Sequence, residues 1–226
     1  MRMKNLIKWD ICFQIKYGFY FIYVVLTIFY IFLLCALPRS WRMNAMTIMI
    51  FSDPAAMGLF FMGAIVLLEK SQKIIQLLAV SPVMVWEYIL SKVVSLAIVS
   101  EIVAFVLAIA AKTEDLLSIL IGTALTSVVF TLLGLIAATK INSLNQFVLI
   151  TVPIELVCFV PALLFLFGYS PNAFKWYPVN LCLSLIANKT ENMILTLSII
   201  VITISILFVV AYYSTSKMFK GVGGVK

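Results

Sequence analysis

Apolar stretches with few or no charges recur along the chain, each close to the length of one membrane crossing. They cover 17–37, 46–68, 90–111, 116–139, 146–168 and 192–213, with Asp53, Glu101 and Glu155 as acidic interruptions in the second, third and fifth. A helix rises ~1.5 Å per residue, so the ~30 Å hydrocarbon core takes ~20 residues. The pattern predicts an all-α integral membrane protein with six transmembrane helices and short connections. Continuous runs of this kind exclude a β-barrel, whose strands alternate apolar and polar residues over ~10 positions. The first run exceeds the length of a signal-peptide core and no small-residue cleavage site follows it, so it is read as a retained span.

Two stretches depart from a simple crossing. Ser52-Asp53-Pro54 reads as a helix start, with Asp53 as N-cap and Pro54 at the first helical position. From there to Leu68 a helix covers only ~22 Å, so residues before Ser52 must complete the crossing as a broken or interfacial piece. After the fifth run, Phe174, Trp176 and Tyr177 precede an apolar run from Val179 toward Thr190 that is too short to cross. Residues 169–191 are expected to form an outer re-entrant or surface segment, a candidate exit lid.

Composition agrees and narrows the chemistry. Apolar residues make up 64% of the 226 and charged residues 11%, against about 25% charged in soluble domains, and the mean hydropathy is +1.17. The chain has no histidine, and its four cysteines (Cys12, Cys35, Cys158, Cys182) form no CxxC pair. A metal site or disulfide framework is therefore not expected. No P-loop and no GxGxxG is present, so any ATP is bound by another polypeptide and this chain carries no cofactor. Without His, GxSxG or a clustered Asp motif, an intramembrane protease or lipid transferase is disfavoured. No linker or repeat divides the chain, and 1–226 is read as one transmembrane domain. Asn188-Lys189-Thr190 fits a glycosylation acceptor, which has meaning only in a secretory compartment.

The net charge of +7 is an orientation signal. With the amino terminus inside, the cytoplasmic side holds Arg2, Lys4, Lys8, Lys16, Lys70, Lys73, Lys92, Lys140, Lys217, Lys220 and Lys226, eleven in all. Arg39, Arg42, Lys112, Lys175 and Lys189 fall on the other side, five in all. This asymmetry places both termini in the cytoplasm, and Trp9, Trp41, Trp86 and Trp176 fall at span ends, as interfacial aromatics should. A nucleic-acid partner has little support; the basic tail from Lys217, with Gly221, Gly223 and Gly224, is expected near anionic headgroups.

The most informative connection is 69–82, between the second and third runs. At 100° per residue Glu69, Gln72, Lys73 and Gln76 share one arc, while Ile74, Ile75, Leu77, Leu78 and Ala79 occupy the other side. Glu69 and Lys73 have the favourable i,i+4 order, and Ser81 and Pro82 end the helix. It reads either as a plain interfacial helix or as a docking element pushed by a soluble partner.

Glu101 and Glu155 lie at matching depths, ~13 Å into the bilayer. Such carboxyls line a water-filled path that favours cationic or amphiphilic substrates, or are protonated and hydrogen-bonded to groups such as Ser100, Ser127 or Thr151. Pro153, just before Glu155, frees a backbone carbonyl and permits a bend beside such a path.

The run LLEKSQKIIQLLAVSPVMVWEYILSKVVS resembles the segment after the second transmembrane helix in ABC-2-type (type V) ABC transporter permeases. The shared features are an acidic residue, a short amphipathic helix, a small-Pro turn and an aromatic-rich start to the next span. A basic amino-terminal segment and a fifth helix with Pro153 and Pro161 agree, and the small drug-export or bacteriocin-immunity branch is the nearest in character. The resemblance implies a coupling helix over 69–82, with Glu69, Lys70, Gln72, Lys73 and Gln76 contacting a separate ATP-binding subunit that carries ATP and Mg, and Ser81 and Pro82 closing the turn. It makes 1–16 a second contact, although Lys4 and Lys8 share an arc with Ile11 and Ile15. It further implies a second permease chain, identical or different, in a prokaryotic plasma membrane, and export of a small amphiphilic or cationic compound. The competing classes are the membrane subunit of an importer and an immunity or sensor protein.

Overall fold

The computed structural model describes residues 2–52, 57–113, 115–169 and 174–222. Asp53 and Pro54, and the tail glycines Gly223 and Gly224, lie outside them. Among the described residues the elements are helices: α1 (Arg2–Lys16), α2 (Phe19–Ala36), α3 (Arg39–Ile50), α4 (Met57–Ser71), α5 (Ile74–Val80), α6 (Val85–Ala111), α7 (Leu116–Thr139), α8 (Leu144–Leu166), α9 (Pro178–Ile186) and α10 (Met193–Gly221).

Five of these, α2, α6, α7, α8 and α10, are long and apolar enough to cross a membrane. The described residues of the expected second span lie on either side of residues 53–56. They are shared between the end of α3 and α4, whose 12 and 15 residues each fall short of a crossing.

Helix ends follow local chemistry. Gly18, at φ 80°, turns the chain between α1 and α2, a conformation that a residue without Cβ adopts easily. Arg42 donates from Nε to the Leu37 carbonyl (2.9 Å) and from Nη2 to the Cys35 carbonyl (3.2 Å), satisfying groups that the end of α2 leaves open. The Glu87 carboxylate accepts from the Met84 N–H (2.7 Å) at the start of α6, and Asn192 Oδ1 accepts from the Leu195 N–H (3.3 Å) at the start of α10.

Helix α7 is the hub, packing against α4, α6, α9 and α10. Its crossing with α4 depends on absent side chains. A Cβ on Gly134 would stand 2.5 Å from the Leu59 carbonyl oxygen, and one on Gly58 would stand 2.5 Å from Thr131 Oγ1. Small residues allow helix backbones to approach where the surrounding lipid supplies no hydrophobic drive for association. Farther along, Gly122 lies against Ile186 and Leu185, seating α9 on α7. Residues 179–186 are all buried, so α9 is packed among the neighbouring helices. Helices α2, α8 and α10 form the periphery, with Phe21, Leu149 and Ile202 among their exposed apolar side chains.

The Gly134 contact is with backbone, which cannot swing aside. Gly134→Ala is expected to cost about 1–3 kcal/mol through overpacking, read as a lower melting temperature in detergent. Gly221→Ala, where a Cβ meets nothing within 4 Å, leaves it unchanged. Equal melting of the two variants would refute the close crossing.

Candidate functional site

Helices α1, α4, α5 and α6 converge at one end of the bundle around an ion cluster. Lys92, in the second turn of α6, directs Nζ to Asp10 Oδ1 of α1 (2.5 Å) and to Glu69 Oε1 of α4. Tyr88, one turn earlier on α6, donates its hydroxyl to Glu69 Oε2 (2.7 Å). Asp10, Glu69 and Lys92 are at most 1% exposed. The rings of Tyr88, Trp9 and Phe13 surround the ammonium with centroids at 5.2, 5.4 and 6.0 Å. One turn past Asp10, Gln14 donates to Ser95 Oγ (2.8 Å), extending the polar seam between α1 and α6.

Two further bonds join α1 to the segment that carries α5. Arg2 Nη1 donates to the Pro82 carbonyl (2.9 Å), beyond the end of α5, and Gln72 Nε2 donates to the Tyr17 hydroxyl, ahead of its start. Helix α1 therefore runs antiparallel to α5 and is fastened at both of its ends.

This geometry revises the reading of 69–82. Lys73 adopts φ 58° and breaks the helix, so Glu69 and Lys70 belong to the last turn of α4 and only Ile74–Val80 forms α5. The Glu69–Lys73 pair does not form, because the break turns Lys73 away while Lys92 and Tyr88 hold the carboxylate. Glu69 is wholly buried and presents nothing to a partner. Lys70 is half-buried, and its Nζ donates to the carbonyls of Ala138 (3.0 Å), Thr139 (3.3 Å) and Ile141 (2.5 Å), closing the carboxyl end of α7 with a cation where the helix dipole favours one. Gln72, Lys73, Gln76 and Pro82 are exposed. Ser81 is half-buried, its Oγ donating to the Leu78 carbonyl (2.8 Å) and accepting from the Val83 N–H (3.3 Å).

The break also rephases the apolar face. Ile75 and Ala79 turn inward, while Leu77 and Val80 are 67% and 76% exposed beside Gln76. Sequence periodicity missed Asp10, Tyr88 and Lys92. The available signal was Lys92 itself, a charge inside an apolar run that requires a partner.

The three membrane-embedded candidates stand on two helices. Glu101 and Glu155 stand on α6 and α8, which both pack on α7, and among the described residues they share no hydrogen bond. Glu101 is half-buried with Oε1 unpartnered. Of the expected partners, Ser100 and Ser127 bond each other (3.2 Å), and Thr151 donates to its own helix at Phe147 (2.9 Å). Pro153 lines a cavity of about 440 Å³ between α7, α8, α9 and α10.

The profile of the fluoroquinolones export permease protein family matches residues 1–221. The chain belongs to this family. Two curated relatives, fluoroquinolones export permease proteins from two strains of Mycobacterium tuberculosis, are each 25% identical over 173 residues, 76% of this chain and 73% of the relative. The permease is thus a multi-pass membrane subunit of a drug exporter, in agreement with the ABC-2-type resemblance. The ion cluster lies within the matched region, where it locks α1 and α4 of the permease to a transmembrane helix.

Removing one member of a buried ion pair strands the others, at about 3–5 kcal/mol. Lys92→Met in the permease is expected to give a large drop in melting temperature or little folded protein, whereas Lys73→Glu, at an exposed position, leaves the melting curve in place. Unaltered stability of the Lys92 variant would contradict the cluster.

Proposed function

We propose that this permease crosses the plasma membrane of a prokaryote six times, with the second crossing divided between α3 and α4 and both termini in the cytoplasm. Its inner rim docks on separate ATP-binding subunits, which carry ATP and Mg, and a second permease chain completes the exporter. The substrate is a small amphiphilic compound of the fluoroquinolone class, the class named for both curated relatives. Glu101 and Glu155 serve the path as acidic groups for its cationic end, and Pro153 permits the bend beside it.

The observation that carries this reading is the mounting of α5. Its outer side offers Gln72, Lys73, Gln76, Leu77 and Val80, a mixed polar and apolar surface suited to a protein partner, while Ile75 and Ala79 anchor it inward. Through α4 it is continuous with Glu69, and through Glu69 it is bonded to Lys92 on α6, a 27-residue helix. A push on α5 therefore reaches a membrane-spanning helix through buried ionic contacts. Helix α1, bonded to both flanks of α5, forms the second part of the docking surface.

Two measurements test this. In the native host, the tagged chain should capture an ATPase subunit and lower fluoroquinolone accumulation; Lys73→Glu combined with Leu77→Glu should abolish capture and export without lowering stability. Retained capture would displace α5 from the contact, and export without any ATPase would overturn the reading. For orientation, a membrane-impermeant maleimide should label exposed Cys35 in intact cells and exposed Cys12 only after the membrane is opened, with buried Cys158 and Cys182 unreactive. Labelling of Cys12 from outside would reverse the topology.

A further inference from the structure

A proline within a helix lacks the N–H that bonds the carbonyl four residues earlier. Pro161 thus leaves the Val157 carbonyl of α8 without its helical donor. In hydrocarbon an unmet carbonyl is costly. The Tyr177 hydroxyl, at the N-cap of α9, reaches it at 3.4 Å and lies 4.0 Å from Cys158 Sγ. Desolvation by burial pushes the Tyr177 pKa up to about 12, so the hydroxyl is a donor throughout the physiological range.

Val157, Cys158 and Tyr177 also line the cavity of about 440 Å³, whose remaining walls are almost entirely apolar. That volume falls within the range of sites for drug-sized molecules, which combine apolar walls with a few placed polar groups. Thr203 lines it too, but its hydroxyl is held by the Ile199 carbonyl at 2.9 Å. The Tyr177 bond is long for an O–H donor. A ligand can improve on such a contact by replacing it. Among the described residues no charged side chain lines the cavity, which suits an uncharged part of the ligand. A lipid chain would fill the walls but leave the long Tyr177–Val157 bond as it stands, whereas a ligand with its own donor and acceptor exchanges it for two shorter ones.

From this arrangement we infer that the cavity between α7, α8, α9 and α10 is a binding site for one drug-sized compound. The compound has an apolar ring body and a hydrogen-bonding group that engages the Tyr177 hydroxyl and the proline-freed Val157 carbonyl. Helices α8 and α10 have mostly exposed apolar surfaces, so the compound arrives from the bilayer. This assignment rests on the drug-export reading and gives it a site within a single chain.

The test uses the full chain in lipid nanodiscs with norfloxacin as the probe, its own fluorescence reporting binding. Saturable binding is expected. Tyr177→Phe, which removes one oxygen, should weaken it about threefold to tenfold, the range of a single hydrogen bond, at unchanged melting temperature. Leu207→Trp, which fills the cavity, should weaken it at least about tenfold, as loss of most apolar contact implies. If the tryptophan variant does not fold, the Tyr177 variant decides alone. Wild-type affinity in both variants, or only non-saturable partition into the lipid, overturns the site. Accumulation in cells separates the two levels: wild-type export with unaffected variants removes the cavity and leaves the exporter standing, whereas absence of wild-type export removes the exporter reading itself.

Discussion

The ammonium of Lys92 is the point on which one end of the helix bundle depends. It sits with two carboxyl groups among aromatic rings, almost wholly shielded from water. Withdrawing ions from water carries a penalty of several kcal/mol for each, so the cluster holds only if its geometry is complete. Asp10 comes from 82 residues upstream of Lys92 and Glu69 from 23, which means that α1, α4 and α6 must all be in place before any of the three charges is satisfied. An apolar contact would tolerate sliding; a buried charge with two fixed partners does not. The cluster therefore sets the register of α1 and α4 on α6, and with it the placement of α5.

The glycine-lined crossing of α4 and α7 complements it. Glu69 sits at the far end of α4 from Gly58, so α4 is fixed near its start by backbone proximity and at its end by charge. Lys70, next to Glu69, ties the same turn to the carboxyl end of α7. The element that leads into α5 is thus held from two sides, by α6 through Glu69 and by α7 through Lys70. The two residues first read as partner contacts are instead bonded within the chain, where they fix the segment that leads into α5.

Much of the architecture was legible in the chain. Five long spans follow from run length alone. What the pattern could not supply were relations between distant residues. Lys92 looked like a loop lysine because counting charges for orientation does not ask where a side chain bonds. Glu69 looked like part of a polar face because 100° periodicity assumes an unbroken helix, and the left-handed conformation of Lys73 breaks it. A lysine rarely signals such a turn; Gly18 and Gly168, both at positive φ, are the kind of residue that does. The cavity beside Pro153 was illegible for a similar reason: its polar end pairs a carbonyl released by Pro161 with a hydroxyl 20 residues away.

The same contacts constrain how motion can travel. Tyr88 donates to Glu69 and stacks edge-on against Phe219 of α10, with centroids 5.4 Å apart, so the cluster also touches the last span near its carboxyl end. Displacement of α5 cannot be absorbed by bending between α5 and α4 alone, because α1 is bonded to Gln72 ahead of α5 and to Pro82 beyond it. Nor can α4 slide along α7, where Gly134 meets backbone at contact distance. The remaining freedom is a joint tilt of α1, α4 and α6. Near its amino end, α7 carries α9, and α9 forms one wall of the cavity through Tyr177, Pro178 and Val179. A tilt transmitted through α7 would therefore alter the long Tyr177–Val157 contact before it disturbed any short one, since the weakest hydrogen bond on the route yields first.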